Sequence, residues 1–183
     1  PQQVPGLNNV RDIKAGGHVL ALKADGTVWA WGNNAQGQLG DGTRIDRYSP
    51  MQVPDLSDVM QISASSVASL ALKSDGTVWR WGGTIESYLV PSQVPNLDSV
   101  VAISAGPENS MALRADGTVW IWGSNDSGQI GNGRFGMQLL PAQIPGLGDV
   151  VAVDARGMRY SVALKADGSV WTWGANNLGQ LGV

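Results

Sequence analysis

Asp25-Gly26-Thr27-Val28-Trp29-Ala30-Trp31-Gly32 is the stretch on which the reading of this chain turns. It returns as Asp75-Gly76-Thr77-Val78-Trp79-Arg80-Trp81-Gly82, as Asp116-Gly117-Thr118-Val119-Trp120-Ile121-Trp122-Gly123, and as Asp167-Gly168-Ser169-Val170-Trp171-Thr172-Trp173-Gly174. All 8 tryptophans of the 183 residues lie in these octets. The aspartates follow one another at intervals of 50, 41 and 51 residues, a period that fits one blade of a β-propeller or one turn of a solenoid.

Asp-Gly between two runs of alternating polarity is a hairpin signal, and a two-residue loop of this kind predicts a type I′ turn with φ > 0 at both central positions. Leu20-Ala21-Leu22-Lys23-Ala24 approaches the first turn and Thr27-Val28-Trp29-Ala30-Trp31 leaves it. On a strand Trp29 and Trp31 point to one face and Val28 to the other. Each buried indole removes roughly 150–250 Å² from water, on the order of 4–6 kcal/mol gross at about 25 cal/mol per Å². Identical placement in every repeat predicts a shared packing task between successive sheets, rather than a light-sensing or ligand-stacking cluster.

Composition permits a core, with 43% hydrophobic residues, and the 25 glycines and 9 prolines follow no collagen-like period and so mark turns. Cysteine is absent, which excludes disulfides and cysteine-ligated metal. A net charge of −3 without a lysine-rich arm argues against nucleic-acid binding through phosphate neutralisation. No run of about 18 apolar residues exists to span a membrane. No signal peptide is recognisable, and the opening on Pro1 without methionine is consistent with a processed form or a piece of something longer.

Proline-bracketed strands open each repeat: Pro1–Pro5, Pro50–Pro54, Pro91–Pro95 and Pro141–Pro145. Proline cannot donate to a ladder, so these are expected at sheet edges. An apolar strand follows in each (10–15, 59–64, 100–105, 150–155), then a strand running into the Asp-Gly hairpin, then the Trp strand. One domain of four repeats results: 1–49, 50–90, 91–140 and 141–183. The order per repeat is edge, inner, middle and Trp strand. After three of the Trp strands come Gly32-Asn33-Asn34-Ala35-Gln36-Gly37-Gln38-Leu39-Gly40, Gly123 to Gly131, and Gly174 to Gly182, read as Gly/Asn turns with one apolar anchor (Leu39, Ile130, Leu181). They lack the lysine and following helix of a phosphate-cradling loop. The second repeat has no such segment, which accounts for its shorter period.

The string Leu-Ala-Leu-Lys-x-Asp-Gly-Thr-Val-Trp-x-Trp-Gly-x-Asn-x-x-Gly-Gln-Leu-Gly resembles the regulator-of-chromosome-condensation repeat, over nearly all of the chain. The resemblance implies an all-β fold: a β-propeller of four-stranded antiparallel blades, four in this chain where the family most often has seven. Pro1 to Val4 is expected to supply the outer strand of the last blade. Three assemblies are open: a four-bladed ring, an arc that pairs with a copy of itself about a two-fold axis, or a fragment of a longer propeller. The family's blade angle favours the second and third. Its roles include guanine-nucleotide exchange on a small nuclear GTPase with nucleosome docking, inhibition of secreted β-lactamases, and ultraviolet photoreception. Acidic charge and the missing basic tail disfavour the first, and absence of Gly-Trp-Arg-His-Thr disfavours the last. The octet looks most like bacterial, often surface-associated members, which points to an extracellular or cell-surface location.

Catalysis finds little support. His18 is the sole histidine, so any Ser-His-Asp or histidine-metal site has one candidate. Asp25, Asp75, Asp116 and Asp167 are explained by turns with Gly26, Gly76, Gly117 and Gly168, and each has a cation two positions back (Lys23, Lys73, Arg114, Lys165). Asp12, Asp46, Glu86 and Glu108 show no matched spacing for a carboxylate pair. Neither cofactor nor metal is expected. Binding of a protein partner is better supported, because positions that differ between repeats are released from the common packing task. One such strip joins inner and middle strands: Gly17-His18, Ser66-Val67-Ala68, Pro107-Glu108-Asn109, and Arg156-Gly157-Met158-Arg159-Tyr160. From it come the candidate contacts His18, Glu108, Asn109, Arg156, Met158, Arg159 and Tyr160, with Arg and Tyr typical of interface hot spots. His18 alone reads as a hydrogen-bonded loop residue. A second strip, Arg44 to Tyr48, Glu86 to Leu89 and Arg134 to Leu140, is expected on the opposite face. The alternative to partner binding is a self-assembling structural propeller, its ring completed by a second copy.

Overall fold

The computed structural model describes residues 1–84, 88–157 and 159–183. Among these every regular element is a β-strand. The first sheet is β1 (Val10–Ala15), β2 (His18–Lys23), β3 (Val28–Gly32) and β4 (Arg47–Gln52), and the second β5 (Val59–Ala64), β6 (Ala68–Lys73), β7 (Val78–Gly82) and β8 (Tyr88–Gln93). The third is β9 (Val100–Ala105), β10 (Asn109–Arg114), β11 (Val119–Gly123) and β12 (Gln138–Gln143), and the fourth β13 (Val150–Asp154), β14 (Tyr160–Lys165) and β15 (Val170–Gly174). Strand order in each sheet equals chain order, and every pairing is antiparallel. These are the blades of a β-propeller, set side by side but not closed into a ring.

Each proline-bearing strand pairs with the Trp strand that precedes it, so a blade straddles two sequence repeats: Trp29 faces Gln52 and Gly32 faces Arg47. β4 begins at Arg47, ahead of Pro50, and is the outermost strand of its sheet. The fourth sheet has 3 strands, and Pro1 to Val4 forms no strand at all. The expectation that this segment completes the last blade is therefore corrected. No strand pairs with the outer side of β15, and the first and last sheets do not pack on one another as neighbouring blades do.

The hairpins stand where the Asp-Gly pairs placed them, with a different turn. Positive φ occurs only at the glycine (81° at Gly26) and not at Asp25. Gly26 N donates to Lys23 O and Lys23 N to Thr27 O, which makes a three-residue loop whose glycine occupies the left-handed bulge position. Asp25 serves the turn with its side chain, accepting from Thr27 N at 3.0 Å and Thr27 Oγ1 at 2.6 Å. Those hydrogen bonds hold the Asp25 carboxyl below its usual range, as they do at Asp75, Asp116 and Asp167. The cation two places back lies over the first indole of its octet, for example Arg114 at 4.4 Å from the Trp120 ring centre.

Three apolar layers fill the gaps between the four sheets. Leu20, Leu22, Val28 and Ala30 of the first blade meet Ile62, Ala71 and Trp81 of the second. Leu70, Leu72 and Val78 then meet Ile103, Ala112 and Trp122, and Leu113, Val119 and Ile121 meet Ala163 and Trp173. The Leu-Ala-Leu triplet is thus divided by its period of two: the leucines look to the next blade and the alanine to the previous one. Alanine sits opposite the first indole of its own blade, as in Ala71 opposite Trp79. Small residues there make room for the rings. The two ends of the arc lack such cover: Ile13 is 64% exposed where Ile62 is 0%, and Val170 is 64% exposed where Val78 and Val119 are 0%.

Candidate functional site

Register decides which loops share a face. His18 pairs with Gly32 and Gly32 with Arg47, so the inner-to-middle turn, the exit from the Trp strand and the entry to the outer strand all lie at one end of the blade. The Asp-Gly turns lie at the other end, where Gly26 O accepts from Val59 N of the next blade at 3.1 Å. The expectation that Arg44 to Tyr48 and Arg134 to Leu140 occupy the opposite face is therefore corrected. In an antiparallel meander the first and third connections emerge on the same side. Glu86 and Met158 lie outside the described residues.

On this face the Gly-Gln-Leu/Ile-Gly segments fasten one blade to the next. Asn34 Oδ1 accepts from Leu39 N at 2.9 Å, and Gln38 Oε1 accepts from Gln36 N at 2.8 Å, so the Asn and Gln of the motif shape their own turn. Asn125 and Gln129 repeat both bonds. Leu39 and Ile130 are fully buried as anchors. The Gln38 carbonyl then takes two donors from the second blade, Ser69 Oγ at 2.8 Å and Trp81 Nε1 at 2.9 Å. The Gln129 carbonyl takes Ser161 Oγ at 3.0 Å and Trp173 Nε1 at 2.9 Å from the fourth.

His18 and Asn109 belong to this fastening. Both are buried, 2% exposed, and each reaches the serine of the next blade: His18 Nε2 to Ser69 Oγ at 2.6 Å, Asn109 Nδ2 to Ser161 Oγ at 3.2 Å. Ser69 gives its own proton to Gln38 O, so His18 Nε2 must carry the hydrogen and Nδ1 is bare. Nδ1 is buried without a partner among the described residues, and burial pushes the imidazole down to about 4. His18 is thus hydrogen-bonded, as the sequence suggested, but from the first position of β2 rather than from a loop. Its unfolded pKa is near 6.5, so as pH falls from there the unfolded chain binds the proton that the folded chain refuses. A stabilisation of about 3 kcal/mol, fully present above pH 6.5, should be lost as pH falls to about 4. His18→Asn, which copies the third blade, should flatten that limb in urea titrations at pH 4.5 and 7.

The remaining described candidates are reachable. Arg156 has 68% of its side chain exposed and is held by Asp154 at 2.7 Å. Its guanidinium keeps the Asp154 carboxyl below the usual range. Both side chains line a cavity of about 510 Å³ bounded by inner-strand residues of all four blades, among them Lys14, Gln61 and Ser104. Arg159 stands at φ 65° and approaches Glu108 at 3.5 Å. Tyr160 is half-buried, its ring against Gly157, where an added Cβ would lie 2.3 Å from it. Glu108, Arg156, Arg159 and Tyr160 therefore lie together on the third and fourth blades at this end of the strands, with Asn109 buried next to Glu108, while His18 lies apart, between the first and second blades. The serines went unnoticed in the sequence reading. Aligning the repeats on their tryptophans would have found them, since Ser69, Ser110 and Ser161 each pair with the second indole of their octet.

Among the described residues no cluster of three or more His, Asp or Glu is placed to hold a metal, and no helix is long and apolar enough to cross a membrane.

Comparison with known proteins bears on the whole arc. The regulator of chromosome condensation (RCC1) repeat matches residues 25–72 and 116–164, and a second description of the same repeat matches 10–38, 100–129 and 150–180. A mitochondrial RCC1 domain-containing protein of Arabidopsis thaliana, RUG3, is 39% identical over 61 residues, 32% of this chain and 14% of its own length. Human WBSCR16 superposes with a TM-score of 0.87 at 26% identity over 100% of this chain and 52% of its own. Prp20p of Saccharomyces cerevisiae, a protein characterised for binding Gsp1p and histones, gives 0.82 at 28% identity over 95% of this chain and 46% of its own. The chain spans about half the length of these solved structures.

Proposed function

The chain belongs to the regulator of chromosome condensation (RCC1) repeat family, and from that premise we propose that it is a non-enzymatic scaffold which binds a protein partner through the axial loop face. One observation carries the reading: at positions that differ between repeats, Arg156 lines the axial cavity and adjoins Tyr160, and Arg159 approaches Glu108 of the neighbouring blade, while the residues common to the repeats are spent on packing. The similarity to Prp20p, which binds Gsp1p and histones, supports a folded protein as the ligand. Interfaces centred on arginine and tyrosine lose most when those side chains are truncated.

The experiment is a chemical cross-linking capture with the wild-type chain and with an Arg156→Ala/Arg159→Ala/Tyr160→Ala variant. A partner identified by mass spectrometry should bind the variant at least tenfold more weakly, with a melting temperature within about 3 °C of wild type. Unchanged affinity, or a variant that melts far lower, defeats the reading. Nucleotide-exchange activity, as in the family's founding member, is the competing role. Accelerated release of GDP from a captured GTPase decides in its favour.

Self-association is a second reading, favoured by the uncovered apolar ends: Ile13 on the first blade, Val170 (64% exposed) and Trp171 (50% exposed) on the last. Head-to-tail contacts close only if the rotation permits. A sedimentation-equilibrium mass of twice the monomer that persists on dilution supports this reading, and a monomer removes it.

A further inference from the structure

The Gly-Gln-Leu/Ile-Gly motif follows the first, third and fourth Trp strands and is missing from the sequence after the second, so among the described residues the interface between the second and third blades has no such plug. Ser110 and Trp122 pair across β10 and β11 as Ser69 with Trp81 and Ser161 with Trp173 do on their own strands. In the two sister interfaces that Ser–Trp pair donates to one glutamine carbonyl. Among the described residues neither Ser110 Oγ nor Trp122 Nε1 has any hydrogen-bond partner, although both side chains line a cavity of about 80 Å³ between the second and third blades. The glycine beside each second indole reports the same difference. A Cβ on Gly82 would lie 2.8 Å from Gln38 Cα and one on Gly174 3.2 Å from Gln129 Cα, whereas Gly123 meets only its own blade, at Glu108 and Asn109. Ala68 stands where His18 and Asn109 reach across in the other blades, so that bridge is absent too.

We propose that this cleft is a peptide-binding site for a partner's turn of the Gly-Gln-Leu/Ile-Gly type. The apolar side chain enters the space that Leu39 and Ile130 fill in the sister interfaces, and the carbonyl before it accepts from Ser110 Oγ and Trp122 Nε1. Two occupied copies of the same socket define the occupant: its turn, its aliphatic anchor and the carbonyl it must present. Two unmet donors in a mostly apolar cleft favour a ligand that brings an acceptor together with an aliphatic group, because each donor gains a partner on binding. The site adjoins Glu108 and so deepens the reading of this face as a protein-binding one, on which it rests.

The test uses the ten-residue peptide of residues 33–42 of this chain, Asn-Asn-Ala-Gln-Gly-Gln-Leu-Gly-Asp-Gly, against the intact protein. Indole N–H resonances locate binding and calorimetry measures it. A saturable shift of the Trp122 indole with Trp81 and Trp173 unmoved is expected, abolished when the peptide's leucine is replaced by aspartate. Trp122→Phe and Ser110→Ala should each weaken binding about fivefold or more, the loss of one hydrogen bond, and Ser110→Ala keeps the test alive should Trp122→Phe not fold. No Trp122 shift at millimolar peptide, equal shifts of all three indoles, or undiminished binding by both variants overturns the proposal. The Arg156/Arg159/Tyr160 variant separates this site from the axial strip: it should bind the peptide as wild type does, and if it also keeps the protein partner, the strip falls while the cleft stands.

Discussion

Trp81→Ala should cost about 3–5 kcal/mol, the range for removing a large aromatic from a core. Its ring is 1% exposed within the layer between the first two blades, and its Nε1 donates to Gln38 O at 2.9 Å. In a chain of this length the loss corresponds to a melting temperature lower by roughly 6–20 °C. Trp171→Ala is the contrast: that ring is 50% exposed at the open end, and the same change there should cost about 1 kcal/mol, the figure typical of point substitutions. Thermal melts of the two variants measure the difference. Equal losses would show that the rings are not graded by the layer they enter.

Gly82→Ala should be nearly as damaging through the opposite fault, an added methyl. Gly82 has φ 73°, and its Cβ would sit 2.5 Å from Val67 O and 2.8 Å from Gln38 Cα, both backbone atoms that cannot swing aside. The left-handed conformation costs an L-residue about 1–2 kcal/mol, and overpacking adds about 1–3 kcal/mol. Gly146→Ala isolates the first contribution, since its φ is 71° with nothing within 4 Å. Urea unfolding should place Gly82→Ala about 2 kcal/mol or more below Gly146→Ala, the excess being the overpacking. Coincident curves would mean that the first blade's loop does not press on β7.

The octet made most of the fold legible. Period two on either side of Asp-Gly gave the hairpin, the recurrence gave the number of blades, and the prolines marked the outer strands at Pro50, Pro91 and Pro141. Two indoles of identical sequence setting were read as equal packers, yet Trp81 and Trp122 are buried where Trp79 and Trp120 are half-buried under their cations. Residues i and i+2 share a face but not a depth, and depth comes from the neighbouring blade. His18 and Asn109 show why variation between repeats is a poor guide to exposure. They differ in type, yet each bonds the serine at the same position of the next blade, and both are covered. The face assignment of Arg44 to Tyr48 failed because loops were placed without counting strand reversals. The absent segment of the second repeat was visible as a shorter period. The site proposed beside Trp122 requires knowing what the segment does in the other two interfaces.

That the Gly-Gln-Leu/Ile-Gly turns of the first and third blades fasten each to the second indole of the next is tested most directly by a double-mutant cycle between Leu39→Ala and Trp81→Ala, read by urea unfolding. Both residues lie in the layer between the first two blades, so a coupling energy of about 1–2 kcal/mol is expected, within the range for residues in contact. Leu39→Ala with Trp122→Ala, residues of different layers, should add to within about 0.5 kcal/mol. Additivity in the first pair, or coupling as strong in the second, would contradict the account.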